Sequence, residues 1–231
     1  MSDKGGAPAG APVGRRTVLG LLALGGAGIV GGSRVQNALA RLLAPIESHD
    51  PTGLVALFPL GAAFRFYSVT GSVPTMTAAT YRLTVSGLVA RPATYTLPDL
   101  QAMPQTALVS DFHCVTGWQV LDVHWAGVPL SVLLDRAEPS AAATAVRFRS
   151  FDGTYTESMT LPQACEPDVI VALGMLGAPV SHDHGGPVRI YAASMYGYKS
   201  TKWLSGIELT HGEVPGYWEH RGYALDGTIQ N

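Results

Sequence analysis

Short apolar segments, set off by glycine and proline, dominate this chain after its first 60 residues and restrict it to a strand-rich fold. Tyr81–Val89 (YRLTVSGLV) alternates apolar and polar side chains, as a half-buried strand does. Gln105–Phe112 and Val120–Trp125 are further strand candidates, and Val146–Phe151 sets Val146, Phe148 and Ser150 against two arginines. Val169–Leu173 is a β-branched run expected to be buried. Val188–Ala192 and Gly206–Thr210 are the later strands. Helical spacing is scarce. Pro129 precedes Leu130, Leu133, Leu134 and Ala137 at the i, i+3, i+4, i+7 positions of one helical face. Pro98–Met103 and Pro162–Glu166 each suit only a turn or two. With 47% apolar residues the chain can fill one core of ordinary size. The expectation is therefore α+β: a strand-rich single domain with few short helices. No G-x-G-x-x-G follows a strand and no P-loop pattern is present, which disfavours nicotinamide and nucleoside-triphosphate chemistry.

The N-terminal segment reads differently from the rest. GRRTVLG (Gly14–Gly20) puts Arg15 and Arg16 directly before an apolar run, Val18–Val30, and Ala38-Leu39-Ala40 offers a small-residue cleavage site. Adjacent arginines point to the twin-arginine export route. Residues 1–40 are thus expected to be a twin-arginine signal, 41–60 a linker and arm, and 61–231 the working domain, exported to the periplasm or another extracytoplasmic space. An uncleaved membrane anchor is the alternative, although the run is shorter than the roughly 20 residues of a spanning helix. The twin-arginine route carries folded proteins, so it favours a prosthetic group loaded before export. From residue 42 on, 10 basic side chains face 16 acidic ones, a net charge of −6. Such a body repels nucleic acid, and its few cations stand out.

Those cations gather in one stretch. Lys199 and Lys202 are the only lysines after Lys4, and they share HGGPVRIYAASMYGYKSTKW (His184–Trp203) with Arg189, Ser200 and Thr201. Cations, hydroxyls and glycine-rich backbone are what a bound phosphate requires, and one helical turn would place both lysines on one side. A solvated surface turn is the alternative. A second tract, DFHCVTGW (Asp111–Trp118), presents Cys114 between polar and aromatic residues. From sequence alone Cys114 is a core thiol, a nucleophile with His113 as its base, a soft metal ligand, or half of a Cys114–Cys165 disulfide. His182-Asp183-His184 has zinc-ligand chemistry but lacks further ligands at zinc spacing.

Taken in order, DFHCVTGW, HGGPVR, YGYKSTKW, GIELT and PGYWE resemble the sulfite oxidase-type family of molybdopterin oxidoreductases over residues 60–225. Within it they are most similar to the bacterial branch that includes the catalytic subunit of periplasmic methionine sulfoxide reductase. The resemblance implies that Cys114 ligates molybdenum and that His184, where that reductase has Asn, and Arg189 contact the pterin. It implies that Ser200, Thr201 and Lys202, with Lys199 beside them, hold the pterin phosphate. Tyr67 and Ser68 would belong to a cofactor-contacting arm, and Ser150 would match a pterin-contacting Thr. His113, Thr116 and Trp118 would line the substrate mouth, with His113 and Thr116 as candidate catalytic groups. The implied cofactor is molybdenum-molybdopterin and the implied reaction is oxygen-atom transfer on a small molecule. The arginine-rich stretch that follows the cysteine in sulfite oxidases and nitrate reductases is replaced here by Val115-Thr116-Gly117-Trp118. Thr116 also stands where the methionine sulfoxide reductase carries an acid. The sequence closes soon after PGYWEHRGY, so a monomeric catalytic domain without the family's dimerisation domain is expected. With no C-x-x-C-H haem motif, electrons are expected to pass to or from a separate protein, a membrane cytochrome by analogy. A metal-free binding module presenting Trp118, Trp125, Trp203 and Trp218 is the alternative outside enzymology.

Overall fold

The computed structural model describes residues 68–229. The twin-arginine segment, the linker and Tyr67 lie outside the described residues. Two five-stranded sheets carry the fold. In the first, β1 (Leu83–Gly87), β2 (Ala93–Tyr95), β5 (Ala145–Ser150), β6 (Thr156–Thr160) and β10 (Leu204–Thr210) run in the order β2-β1-β10-β5-β6. Its pairs are antiparallel except β1 with β10. In the second, β3 (Thr106–His113), β4 (Gln119–Pro129), β7 (Val169–Met175) and β8 (Ala178–Pro179) follow one another, and β9 (Arg189–Ala192) pairs with β7. The helices are short: α1 (Leu97–Gln101), α2 (Leu130–Ala137) and α3 (Leu161–Ala164). Thr96 and Thr160 cap α1 and α3, each in a reciprocal box with the acid or amide three residues on. The apolar face expected from 130 to 137 is fully buried. This is the strand-rich α+β domain anticipated above. Among the described residues no helix is long and apolar enough to cross a membrane.

Strand alternation distributes the core. In β7, Val169 and Val171 join the main cluster with Val85, Phe148, Leu133 and Ile207, while Ile170 and Ala172 join a smaller cluster with Phe112, Val123, Trp125 and Tyr191. Both faces of β7 are therefore buried, as its β-branched run requires. β9 repeats the pattern: Ile190 and Ala192 enter the main core, and Tyr191 stacks on Trp125 at 4.2 Å. Phe112 of the smaller cluster, and Trp118 packed against it, also line the functional cleft.

Candidate active site

The cleft has a volume of about 550 Å³ and draws its walls from five stretches of the chain, 68–69, 112–118, 152–155, 184–203 and 217–223. The β3–β4 turn supplies Cys114. Its backbone N–H donates to Trp118 O and its carbonyl accepts from Gly117 N–H, both at 2.9 Å, so the turn is tight and the cysteine stands at its start. Cys114 Sγ lies 3.2 Å from Thr116 Oγ1, and both residues line the cleft. Phe112, two residues before Cys114, lines it too. The intervening His113 does not, because successive strand side chains face opposite ways; its carbonyl accepts from Gly197 N–H at 2.7 Å. The structure thus groups Cys114 and Thr116 in the cleft lining and leaves His113 out of it.

The same cleft is also lined by cations. Arg189 opens β9 and is 2% exposed. Its donors go to carbonyls rather than to a carboxylate: Nη1 to His184 O at 2.6 Å, Nη2 to Ser200 O at 3.0 Å, Nε to Ile190 O at 3.2 Å. Its guanidinium also lies 5.3 Å from the centre of the Trp125 ring. Burial brings its pKa down to about 10. Lys202 lines the cleft with its ammonium 4.6 Å from the centre of the Trp203 ring. Burial first, and then Arg189, lower its pKa to about 7. His184, also in the lining, is lowered by burial, Arg189 and Lys202 in that order. Gly185 makes the approach possible: its φ is +98°, and a Cβ there would stand 2.6 Å from Lys202 Cβ. Ser200 lines the cleft while its Oγ accepts from Ala192 N–H at 3.2 Å, and Ser68 lies at the rim.

Other expected residues are placed elsewhere. Lys199 is fully buried, and its ammonium donates to Glu157 Oε1 (2.8 Å), Ser158 O (2.8 Å) and Glu219 Oε1 (3.0 Å). An ammonium has three donors, so Lys199 is saturated away from the cleft and the expectation that it holds the phosphate is corrected. Ser150 does not line the cleft either; its Oγ accepts from Asp152 N–H at 3.1 Å and shapes the β5–β6 turn. Thr201 is buried between two lining residues, and its Oγ1 has no hydrogen-bond partner among the described residues. Cys165 is exposed and Cys114 is free, so no disulfide joins them. The His182–His184 stretch builds no zinc site: no group of metal-ligating side chains of that kind occurs among the described residues. Trp125 and Trp203 are 1% and 2% exposed, which removes them from any surface for partner recognition.

Sequence reasoning missed Asp152, Tyr155, Tyr198, Tyr217 and Tyr223, all of which line the cleft, and used Trp218 only as part of a surface. Asp152 sits in an Asp-Gly turn, a visible turn signal. Its Oδ1 accepts from Thr154 and Tyr155 N–H at 2.8 Å, while its buried Oδ2 has no hydrogen-bond partner among the described residues. The donor set suits an elongated anionic ligand. The cleft gathers a soft sulfur, two cations with depressed pKa values, and a carboxylate oxygen that can accept from a ring N–H.

Residues 70–218 match the family described as oxidoreductase molybdopterin binding domain. The chain belongs to that family. It is 35% identical over 159 residues, 68% of this chain and 80% of the relative, to the protein titled "Uncharacterized oxidoreductase YuiH" of Bacillus subtilis. It is 31% identical over 153 residues to the protein-methionine-sulfoxide reductase catalytic subunit MsrP of Ralstonia nicotianae, covering 60% of this chain and 46% of that one. The fold is shared with the sulfane dehydrogenase SoxCD of Paracoccus pantotrophus, with a TM-score of 0.58 and 21% identity over 66% of this chain and 46% of that one. The protein is accordingly an oxidoreductase that uses the molybdopterin cofactor.

Proposed function

We propose that this chain is an exported molybdopterin enzyme that transfers an oxygen atom to or from a small neutral substrate and exchanges its electrons with a separate redox protein. The observation that carries the reading is the placement of Cys114 in one cleft with Arg189 and Lys202. The cofactor, when bound, supplies two-electron redox chemistry and oxygen-atom transfer at molybdenum. The chain's own residues do the rest. Cys114 would hold the metal as a thiolate, and the Thr116 hydroxyl, 3.2 Å from Sγ, would donate to that sulfur and tune it. Arg189 and Lys202 would take the anionic tail, with Ser200, Thr201, His184 and Ser68 around it and Asp152 accepting from the ring system. Around Cys114 the cleft is lined by Phe112, Val115, Thr116 and Trp118, which are neutral. A site of that character favours a polar uncharged oxide, such as an S-oxide or N-oxide, over sulfite or nitrate. Methionine sulfoxide, named for the relative MsrP, is one member of that class.

The adjacent arginines support export, and the separate redox protein is proposed, by analogy with the family, as a membrane cytochrome. The test is Cys114→Ala in protein made in a host competent for molybdopterin synthesis. It should lose oxide reduction and most of its molybdenum by elemental analysis, while keeping a cooperative thermal transition. Full activity with full metal content would remove the ligand role. A screen of S-oxides, N-oxides and sulfite on the wild-type enzyme tests the substrate class.

A further inference from the structure

Behind the cleft lies a charge cluster that the reading above does not use. Lys199, Glu157 and Glu219 come from three segments: the 196–202 loop, β6 and the turn Glu219–Arg221. Side-chain exposure is 0% for Lys199, 0% for Glu157 and 4% for Glu219. The aliphatic stem of Lys199 is gripped as well: a Cβ on Gly227 would lie 2.6 Å from its Cγ. Glu219 then closes its own turn, accepting from Gly216 N–H through Oε2 at 3.0 Å. Tyr217 N–H donates to Thr156 O at 3.0 Å, one residue from Glu157. The residues between these anchors, Tyr217 and Trp218, line the cleft. Their rings continue into a chain of contacts. Trp218 meets Tyr217 at 5.3 Å and Tyr223 at 5.0 Å, and Tyr223 meets Tyr198, the neighbour of Lys199, at 5.3 Å. Lys199 therefore touches this aromatic wall twice, through Tyr198 in the backbone and through Glu219 in space.

We propose that Lys199 is a positioning residue that, through Glu219, fixes the Tyr217–Trp218 turn as the aromatic wall of the cleft. The inference concerns the wall alone and holds whichever oxide the enzyme takes. Charge explains why the position needs a cation. Glu219 is a carboxylate in a nearly sealed site, and the Lys199 ammonium 3.0 Å away supplies the opposite charge that its burial requires. Burial, and then the adjoining Glu219 carboxyl, raise the pKa of Glu157 to about 8. Burial opposes the ionisation of Glu219, but Glu157 and Lys199 outweigh it and hold Glu219 below its usual value. At neutral pH Glu219 is thus anionic and Glu157 protonated. The other groups facing it are the phenols of Tyr155 and Tyr198, both raised first by burial, together with Glu213 and Asp226. Arg189 faces Tyr155 from the cleft side.

The experiment is fluorine NMR of the full chain labelled with 5-fluorotryptophan and purified with its cofactor. The Trp218 resonance is identified by its absence in Trp218→Phe. In Lys199→Met and in Glu219→Gln the Trp218 signal should move toward the position of a solvent-exposed indole, while the signal of buried Trp125 stays. In the wild type the Trp218 signal should titrate between pH 7 and 9, and Glu157→Gln should abolish that titration. If Lys199→Met does not fold, Glu219→Gln, which keeps the shape of the side chain, carries the test. An unmoved Trp218 in folded Glu219→Gln, or a displacement shared equally by Trp125, overturns the proposal. So does a titration of Trp218 that persists in Glu157→Gln. Wild-type protein that carries no metal, with a Trp218 signal that still moves in Glu219→Gln, would count against the cofactor-site assignments and not against this one.

Discussion

Lys199 and Lys202 stand three residues apart in a tract where nothing in the local sequence tells them apart, yet they do opposite work. Lys199 points inward, where Glu157, Glu219 and a carbonyl take all three of its donors. Lys202 lines the cleft beside Arg189, and burial and that guanidinium pull its pKa down to about 7. One ammonium has its counter-charges built into the fold. The other sits where an arriving anion would restore its proton. The first kind of cation belongs to structure and the second to binding, and only the tertiary partners decide which is which.

The strongest way to break this contrast is to remove each ammonium in turn. Lys199→Met leaves the buried Glu219 carboxylate, and Glu157 beside it, without their cation, a change that costs about 3–5 kcal/mol. At about 2–4 °C per kcal/mol for a domain of this size, the melting temperature should fall by roughly 6–20 °C. Lys202→Met should leave the melting temperature of cofactor-free protein unchanged or higher, because it removes a desolvated charge. It should instead weaken cofactor retention by about 10- to 100-fold, the range expected when a charge-assisted hydrogen bond of about 1.5–3 kcal/mol is lost. Calorimetry and molybdenum content per folded chain measure the two effects. Equal loss of stability in both variants, or equal loss of metal, would erase the distinction.

Proton linkage sharpens it further. Glu157 is raised from 4.5 to about 8, so the stability it contributes is complete below 4.5 and is lost as pH rises through 8. Lys202 is lowered from 10.5 to about 7, so its contribution is complete above 10.5 and is lost as pH falls through 7. Between 4.5 and 7 the Glu157 limb should lower stability as pH rises. Between 7 and 8 the two oppose each other, and from 8 to 10.5 the Lys202 limb should raise it. Melting temperature against pH should therefore show a shallow minimum near neutrality in cofactor-free protein. Glu157→Gln should flatten the falling limb and Lys202→Met the rising one. A bound anion, by keeping Lys202 protonated, should suppress the rising limb alone.

How much of this was legible in the sequence follows the same line. Segments with clean alternation or a β-branched run became β1, β3, β5 and β7, and the leucine spacing after Pro129 became α2. β6 escaped notice because its sequence, TESMT, looks solvated. Glu157 and Ser158 are in fact buried: Lys199 donates to Glu157 Oε1, and Ser158 Oγ donates to Val214 O, from 42 and 56 residues away. A polar pattern hides a buried strand whenever its partners are distant. Cys114, Arg189, Ser200 and Lys202, singled out through their motifs, all line the cleft, at a strand end, a β9 terminus and a tight loop. Lys199 and His113, neither of which lines the cleft, differ in kind. Strand alternation could have excluded His113 once Cys114 and Phe112 were placed on the cleft face. Nothing local could have excluded Lys199, because its fate rests on Glu157 and Glu219.

The smallest expected effect falls on the third basic side chain of the cleft. His184 lies near both Arg189 and Lys202, and burial together with those two cations lowers its pKa from 6.5. It is therefore neutral at pH 7 and adds hydrogen-bonding capacity rather than charge to the anion side. Its backbone carbonyl, which takes Arg189 Nη1 at 2.6 Å, does not depend on the side chain. His184→Asn keeps a neutral polar group at the position where the resembled reductase carries Asn, so cofactor retention should change by no more than about threefold, under 1 kcal/mol. The profile of retention against pH should keep its midpoint, because Lys202 rather than His184 supplies the titrating charge. A large loss in His184→Asn, or a midpoint displaced by it, would move the binding charge from Lys202 to the histidine and dissolve the division of labour between the two lysines.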